Sequence, residues 1–352
     1  MLLWYWGRRG GGAHYTAALA EALAARGDVV VSASVSSEFS CLARVRRVVE
    51  QCELVPLRRT APLRLLVGLR RLSPAAAARR QRADVVLHTM VHPLTPYGMR
   101  ALRRAGIPVV FVLHDGRPHP GDRHRLVDAA ARDAVRHADR VVVASDHVAE
   151  QARAMAPRTP VDVVPLGPHL EFDDLWDPSG PVVFFGRLLA YKGLDLLASA
   201  WPAVAGLDGA RLRVVGEPRG SVPELALLRR LGADVREGWV PDDAVAQAIG
   251  GARLVVLPYR EGSQSGVVTL AASAGIPVLA TDVGGLASQV GDGGLVVAPD
   301  AGALSDALHR LLSHPGEVAA LRAKLLERRD NAAAWQPLAA RLVDVARAAS
   351  GR

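Results

Sequence analysis

Arg187 and Lys192 flank a short turn in "FFGRLLAYKGLDLL" (184–197), where an apolar run gives way to a helical pattern. Two cations held at the mouth of a strand-to-helix turn suit a diphosphate. At about 4 Å and an intermediate dielectric, one such charge pair is worth about 4 kcal/mol before desolvation is subtracted. A pair of solvated surface charges is the plain alternative. A second group lies in "YREGSQSGVVTLAASAGIPVLATDVGGL" (259–286). Glu261 can accept hydrogen bonds from hydroxyls, and Ser263, Gln264 and Ser265 can donate and accept. Gly262 and Gly266 allow close backbone approach. A helix opening near Gly266 and Val267 would aim free N–H groups and a positive dipole end at a ligand. Together these features suit a sugar joined to phosphate; a structural capping turn is the alternative.

Two further groups precede them in the chain. In "GRRGGGAHYT" (7–16), Gly11 and Gly12 open a helical pattern and can admit an anion, or only form a tight turn. The spacing is not GxGxxG, and no acidic residue clearly follows the second strand to hold a ribose. Dinucleotide binding is therefore disfavoured. In "VLHDGRPHPGD" (112–122), His114 ends a buried-looking run and can exchange a proton or only hydrogen-bond. Asp115 and His119 make the neighbourhood polar. No metal is expected there, because further ligands are lacking.

The elements that must hold these residues alternate along the chain. Strand-like runs fall at 2–6, 29–35, 84–90, 108–114, 140–145 and 162–166, with helical spacing between them, as for Tyr15, Leu19, Ala22 and Leu23. A Pro-, Gly- and Asp-rich stretch, 167–181, reads as a linker. The alternation resumes at 181–186, 211–216, 233–240, 252–259, 277–281 and 294–298, and from about residue 301 the pattern is helical. This rhythm predicts α/β architecture: two Rossmann-like domains with parallel sheets and a cleft between them. The candidate residues all fall at strand ends, where ligands sit in such sheets.

The chain has 352 residues, 50% hydrophobic and 22% charged, and a formal net charge of +8 carried almost entirely by arginine. That is a folded chain with a bias towards anionic partners. Cys41 and Cys52 lack a metal or redox spacing and read as free buried thiols of a cytosolic protein, a disulfide being the alternative. The start, "MLLWYWGRRGGG", reads as a first strand rather than a signal peptide, and no run is apolar for long enough to cross a membrane. Residues 44–82 hold eleven arginines and two glutamates, so the excess charge is concentrated there. Within them, "PLRLLVGLRRL" (62–72) places Leu65, Leu69 and Leu72 at helical spacing among arginines. It suits the surface of an anionic membrane, or is simply an Arg-rich solvated face. Few aromatics accompany these charges, which disfavours nucleic acid as a partner.

These motifs, in this order, resemble the family-4 retaining glycosyltransferases, the group 1 glycosyltransferases of the GT-B fold. "GGGAHYTAALAEALAARGDVVV" resembles the family's glycine loop and helix, and "GRLLAYKGLDLL" its GRL-xxx-KG-x-D-x-L segment. "EGSQSGVVTLAASAGIPVLATDVGGL" resembles its donor-sugar motif, and "DVVPLGP" its stretch before the interdomain linker. The resemblance implies an acceptor-binding domain over 1–167, a nucleotide-sugar domain over 168–331, and a C-terminal helix, 332–352 near Trp335, returning to the first. It implies that Arg187 and Lys192 neutralise the donor diphosphate. Glu261 would contact the transferred sugar, the loop 262–266 would supply N–H groups, and His114 would lie near the reacting carbon. The family works without a metal or a cofactor, the nucleotide-diphosphate sugar being a co-substrate, and keeps the anomeric configuration. The acceptor would be a saccharide or lipid-linked hydroxyl in polysaccharide or glycoconjugate assembly. The protein would be cytoplasmic, or peripheral on the inner face of the cell membrane.

One departure stands out. The family's second motif glutamate falls on Thr269 counting from Glu261, or on Leu270 counting back from Gly275 and Pro277. Neither is acidic, so the usual ribose contact is lost or supplied elsewhere. Two other readings stay open on the same architecture: a nucleotide-sugar epimerase, and a non-catalytic nucleotide-sugar binder.

Overall fold

The computed structural model describes residues 1–56, 73–118, 125–168, 170, 172–332 and 335–351. The segment 62–72 and His119 lie outside the described residues. The chain divides into two compact units. The first takes Met1–Arg117, His124–His169 and Ala334–Arg352, and the second mainly Leu170–Ala333.

The first unit runs β1 (Leu2–Tyr5), α1 (Gly11–Ala24), β2 (Ser32–Ser36), α2 (Leu42–Val48), β3 (Gln51–Val55), α3 (Pro74–Arg80), β4 (Val86–His88), α4 (Thr95–Arg104), β5 (Val109–Leu113), α5 (Arg125–His137), β6 (Arg140–Val143), α6 (Asp146–Met155) and β7 (Val161–Val163). Its strands pair in the order β3-β2-β1-β4-β5-β6-β7, and the pairs are parallel. Such strands are covered on both faces, which is why they read as Val- and Leu-rich runs. Side chains alternate between two cores. Leu3 and Tyr5 point to one, with α1 and α2; Leu2, Trp4 and Trp6 point to the other, with α3 to α6.

The second unit runs β8 (Val182–Phe185), α7 (Leu194–Ala200), β9 (Leu212–Gly216), α8 (Glu224–Arg230), β10 (Asp234–Glu237), α9 (Val245–Ile249), β11 (Leu254–Leu257), α10 (Gly266–Ser273), β12 (Val278–Thr281), α11 (Leu286–Val290), β13 (Gly294–Val297), α12 (Ala301–Ser313) and α13 (Pro315–Ala332). Its sheet is parallel in the order β10-β9-β8-β11-β12-β13. The last helix, α14 (Trp335–Ser350), belongs to the first unit, where Leu338, Ala339, Leu342 and Val343 join the core of α1. Trp335 packs on Tyr15 at 5.5 Å and donates to the Pro168 carbonyl. Both expected parallel sheets form, and the final helix returns as the resemblance implied.

The alternation missed α2 and β3. The described parts of the basic stretch 44–82 include most of α2, all of β3 and α3. Some of the charge is already matched: Arg44 is held bidentately by Glu21 of α1, and Arg80 by Glu53 of β3. Cys41 and Cys52 are free thiols, the first buried and the second half-buried. Among the described residues, no helix is long and apolar enough to cross a membrane.

Candidate functional site

Each sheet has one place where its strand order reverses, and ligands of open α/β sheets sit at the strand carboxyl ends there. In the second unit that place lies between β8 and β11. Arg187 and Lys192 follow β8, and the loop 259–266 follows β11, so the two motifs that sequence separates stand side by side. Arg187 is exposed and Lys192 half-buried. Gly193 sets their approach. It has φ +69°, and a Cβ there would lie 1.7 Å from the Pro258 carbonyl oxygen. Only glycine lets the turn close onto the end of β11.

Tyr259 joins the two segments. Lys192 Nζ lies 3.8 Å from its ring centroid and 5.0 Å from that of Tyr191, both within cation–π range. The Tyr259 hydroxyl lies 3.2 Å from Ser265 Oγ, and Thr281 donates to the Tyr259 carbonyl at 2.5 Å. Burial pushes the Tyr259 hydroxyl pKa up, partly opposed by the Ser265 bond and the nearby Arg187 charge. The ring is therefore a neutral buttress beneath the cations. Next to Glu261, Arg260 pairs with Asp195 of α7 at 2.9 Å. Burial would raise the Asp195 carboxyl pKa. The Arg260 bond and charge, with backbone N–H groups at the helix start, outweigh it and hold the pKa below its ordinary value.

The loop itself is braced from below. Ser265 caps α10, its hydroxyl accepting from Val267 N–H at 3.3 Å. Its backbone is clamped by the Gln289 amide of α11. Gln289 Oε1 accepts from Ser265 N–H at 2.9 Å, and Nε2 donates to Ser265 O at 2.8 Å. Gly285 N–H donates to Ser263 O at 3.2 Å. The Ser265 N–H is thus committed inside the protein, although the loop was expected to offer its N–H groups outward. Ser263 and Ser265 are buried, Gly262 likewise, while Glu261 is exposed and Gln264, Gly266 and Val267 are half-buried. At the position of the missing glutamate, Leu270 lies in the core and Thr269 is half-buried, its hydroxyl donating to Gly266 O at 2.9 Å.

In the first unit the reversal lies between β1 and β4. Gly11 and Gly12 form the first turn of α1 after β1. A Cβ on Gly11 would meet nothing within 4 Å, so the space beside it is open. A relay links this turn to His114. The Thr16 hydroxyl donates to Gly12 O at 2.8 Å and lies 2.7 Å from the Thr89 hydroxyl. With its proton so used, Thr16 accepts from Thr89. His114 Nε2–H then donates to Thr89 O at 2.9 Å. The Tyr15 ring meets the imidazole edge-on at 5.2 Å. Burial lowers the His114 pKa, opposed by the Thr89 bond and the Asp115 charge. The imidazole is therefore neutral at pH 7, with its proton on Nε2, and Nδ1 is the nitrogen able to accept a hydrogen bond.

The structure thus brings Arg187, Lys192 and the loop 261–267 together in one unit, and Gly11, Gly12 and His114 together in the other. Sequence reasoning missed Tyr259, Thr89, Gln289 and the Arg260–Asp195 pair. Tyr259 carries a readable signal, an aromatic ending an apolar strand before a polar turn. Gln289 carries none, being remote in sequence from the loop that it holds.

Comparisons with known proteins match both units. A family model described as glycosyl transferases group 1 matches residues 180–314, and one described as a glycosyl transferase 4-like domain matches residues 10–167. A D-inositol 3-phosphate glycosyltransferase of Nocardiopsis dassonvillei is 32% identical over 298 residues, 71% of this chain and 67% of that protein. A 2-deoxystreptamine N-acetyl-D-glucosaminyltransferase of Streptomyces fradiae is 33% identical over 221 residues, 54% of this chain. The match spans about half of the latter's length, 52%. Among solved structures, sucrose-phosphate synthase from Thermosynechococcus elongatus aligns with TM-score 0.72 at 19% identity, covering 99% of this chain and 98% of that one. Anabaena HepE in complex with UDP-glucose aligns with TM-score 0.72 at 18% identity, covering 98% of each. At such identity the likeness is one of fold, the GT-B arrangement of two parallel-sheet units.

Proposed function

The chain belongs to the group 1 glycosyl transferases, and from that premise we propose that it moves a sugar from a nucleotide-diphosphate donor to an acceptor hydroxyl, with retention and without a metal. The observation that carries this reading is the convergence of Arg187, Lys192 and the α10 cap on Tyr259 at the strand reversal of the second unit. In this reading the two cations neutralise the diphosphate as the bond from the anomeric carbon to its oxygen breaks. The acceptor oxygen bonds to the same face of that carbon, and its proton leaves on the departing diphosphate. Glu261 accepts from the sugar hydroxyls. Gly262 to Val267, less the committed Ser265 N–H, line the donor. His114 accepts from a sugar hydroxyl at Nδ1, a role that rests on the family resemblance. Neither Thr269 nor Leu270 offers the family's carboxylate, so in this reading the ribose is held by neutral groups.

The acceptor in this proposal is a saccharide or a lipid-linked hydroxyl, approached from a peripheral position on an anionic membrane through the basic residues of 44–82. HepE was solved with UDP-glucose, which makes UDP the first nucleotide to try. The test is a thermal-shift series with UDP, GDP, ADP, dTDP and CDP, with and without magnesium. One diphosphate is expected to raise the melting temperature without magnesium, by mass action on the folded state. Arg187→Ala/Lys192→Ala is expected to abolish that shift. A shift that needs magnesium overturns metal independence, and no shift from any nucleotide overturns the donor assignment.

A further inference from the structure

On the helix-covered face of the first unit's sheet, α3 and α4 flank a groove of about 590 Å³. Tyr97, Arg100, Ala101, Arg104 and Ala105 line one side. Their spacing of i, i+3, i+4, i+7 and i+8 is that of a single helix face. The opposite face of α4, with Gly98, Met99 and Leu102, is buried. Arg79, beside the alanines of α3, lines the other side. Gly98 lets the two helices approach, since a Cβ there would lie 2.3 Å from the Trp4 ring and 2.9 Å from Pro74. Arg79 and Arg104 stand in the last turns of their helices. Arg104 is about 13 Å along the axis from Thr95, the end of α4 that follows a strand carboxyl end. Arg104 therefore stands at the other end of α4 from that strand end.

The charge there is unopposed. From Ser73 to Pro108 the sequence holds six arginines and one acidic residue, Asp84. Arg80 is matched by Glu53, but among the described residues no side-chain hydrogen bond or ion pair involves Arg79, Arg100 or Arg104. Arg100 and Arg104 are four apart on one helix face, a spacing at which like charges repel. Guanidinium groups lining a groove together with alanines match an anion with several oxygens on an organic skeleton. The volume is that of a small-molecule site.

We propose that the α3–α4 groove is a second ligand site, taking an organic phosphate whose phosphate lies between Arg79, Arg100 and Arg104 and whose skeleton rests on the alanines. The same chemistry is offered by a soluble phosphate ester and by a phospholipid head group, and the site does not depend on the transfer reaction. The test has two arms on the full chain: calorimetric titration with sn-glycerol 3-phosphate at low salt, and flotation with phosphatidylglycerol–phosphatidylcholine vesicles. Binding is expected in at least one arm. Arg100→Glu/Arg104→Glu should weaken it about tenfold or more, while Arg187→Ala/Lys192→Ala leaves it unchanged. Titration alone would assign a soluble ligand, and flotation alone a head group. Arg79→Ala is read in parallel, with melting temperatures, should the double reversal disturb folding. Absence of binding in both arms, indifference to the groove variants, or loss in the Arg187/Lys192 variant instead would overturn the proposal.

Discussion

Lys192 is one of only two lysines in the chain, and its ammonium group stands over the Tyr259 ring. A cation held by an aromatic face keeps its charge available to an incoming anion. Lys192→Ala should therefore lower kcat/KM by about a hundredfold or more, the scale of losing one preorganised charge contact in the transition state. Its melting temperature should stay within about 2 °C of wild type, since the side chain is half-buried and outside the core. Turnover at the wild-type rate with saturating donor would refute the role. A different residue-scale device lies beneath β1. His88 stacks on Trp4 at 3.8 Å, donates from Nδ1 to Trp4 O at 3.1 Å and accepts at Nε2 from Thr95 at 2.9 Å. Burial, only partly offset by the Trp4 bond, lowers its pKa to about 3, and burial with the Arg8 charge lowers that of His92 to about 4. Above pH 6.5 both imidazoles are neutral in either state. Below it, the unfolded chain takes protons that the fold refuses, so stability falls as pH drops towards those values. Each histidine contributes about 1.4 kcal/mol per pH unit to that slope. Urea unfolding at pH 7.5, 6 and 5 should show the decline, and His88→Asn should make it shallower while lowering stability at every pH. An unchanged slope in that variant would contradict the assignment.

Elements communicate at the site through backbone clamps more than through charged pairs. The Gln289 amide fastens α11 to the cap of α10 by two hydrogen bonds. Gln289→Leu keeps the volume but strands the Ser265 N–H. It should destabilise the protein by about 1–3 kcal/mol, the penalty for an unsatisfied buried donor. It should also raise KM for the donor more than it lowers kcat, because the loop is loosened rather than stripped of a reacting group. Chemical denaturation and initial-rate kinetics read both effects. The periodic elements were legible from sequence: each expected run coincides with a strand within a few residues, since parallel strands buried on both faces must be apolar. β3 escaped because it is an edge strand carrying Glu53 and Cys52, with no continuous apolar run. The turns that carry Arg187, Lys192 and Glu261 were legible as strand ends. Gln289 and Asp195 beside them were not, nor was Thr89 beside His114, because the contacts depend on strand order and register. A single sequence does not display either.

At the scale of the whole molecule, the first unit draws on both ends of the sequence, its last stretch being Ala334–Arg352. Leu338, Leu342 and Val343 of α14 are at most 7% exposed and lie in the same core as Leu3, Leu19 and Leu23. Removing α14 would uncover that core, at about 1.5–3 kcal/mol for each large aliphatic side chain re-exposed or left without its partner. It would also take Trp335 from Tyr15, whose ring packs on His114. The second unit keeps its own core, built around Phe184, Trp201, Leu257 and Leu279, with no residue from α14. A chain ending at residue 332 should therefore lose stability unevenly. Hydrogen exchange should speed up across β1, α1 and β5, while β8, β11 and β12 keep their protection. The nucleotide-induced thermal shift, if it resides in the second unit as proposed, should persist in the shortened chain with weakened affinity. Equal loss of protection in both units would show that they fold as one cooperative body, and the separate description of the two cores would have to be abandoned.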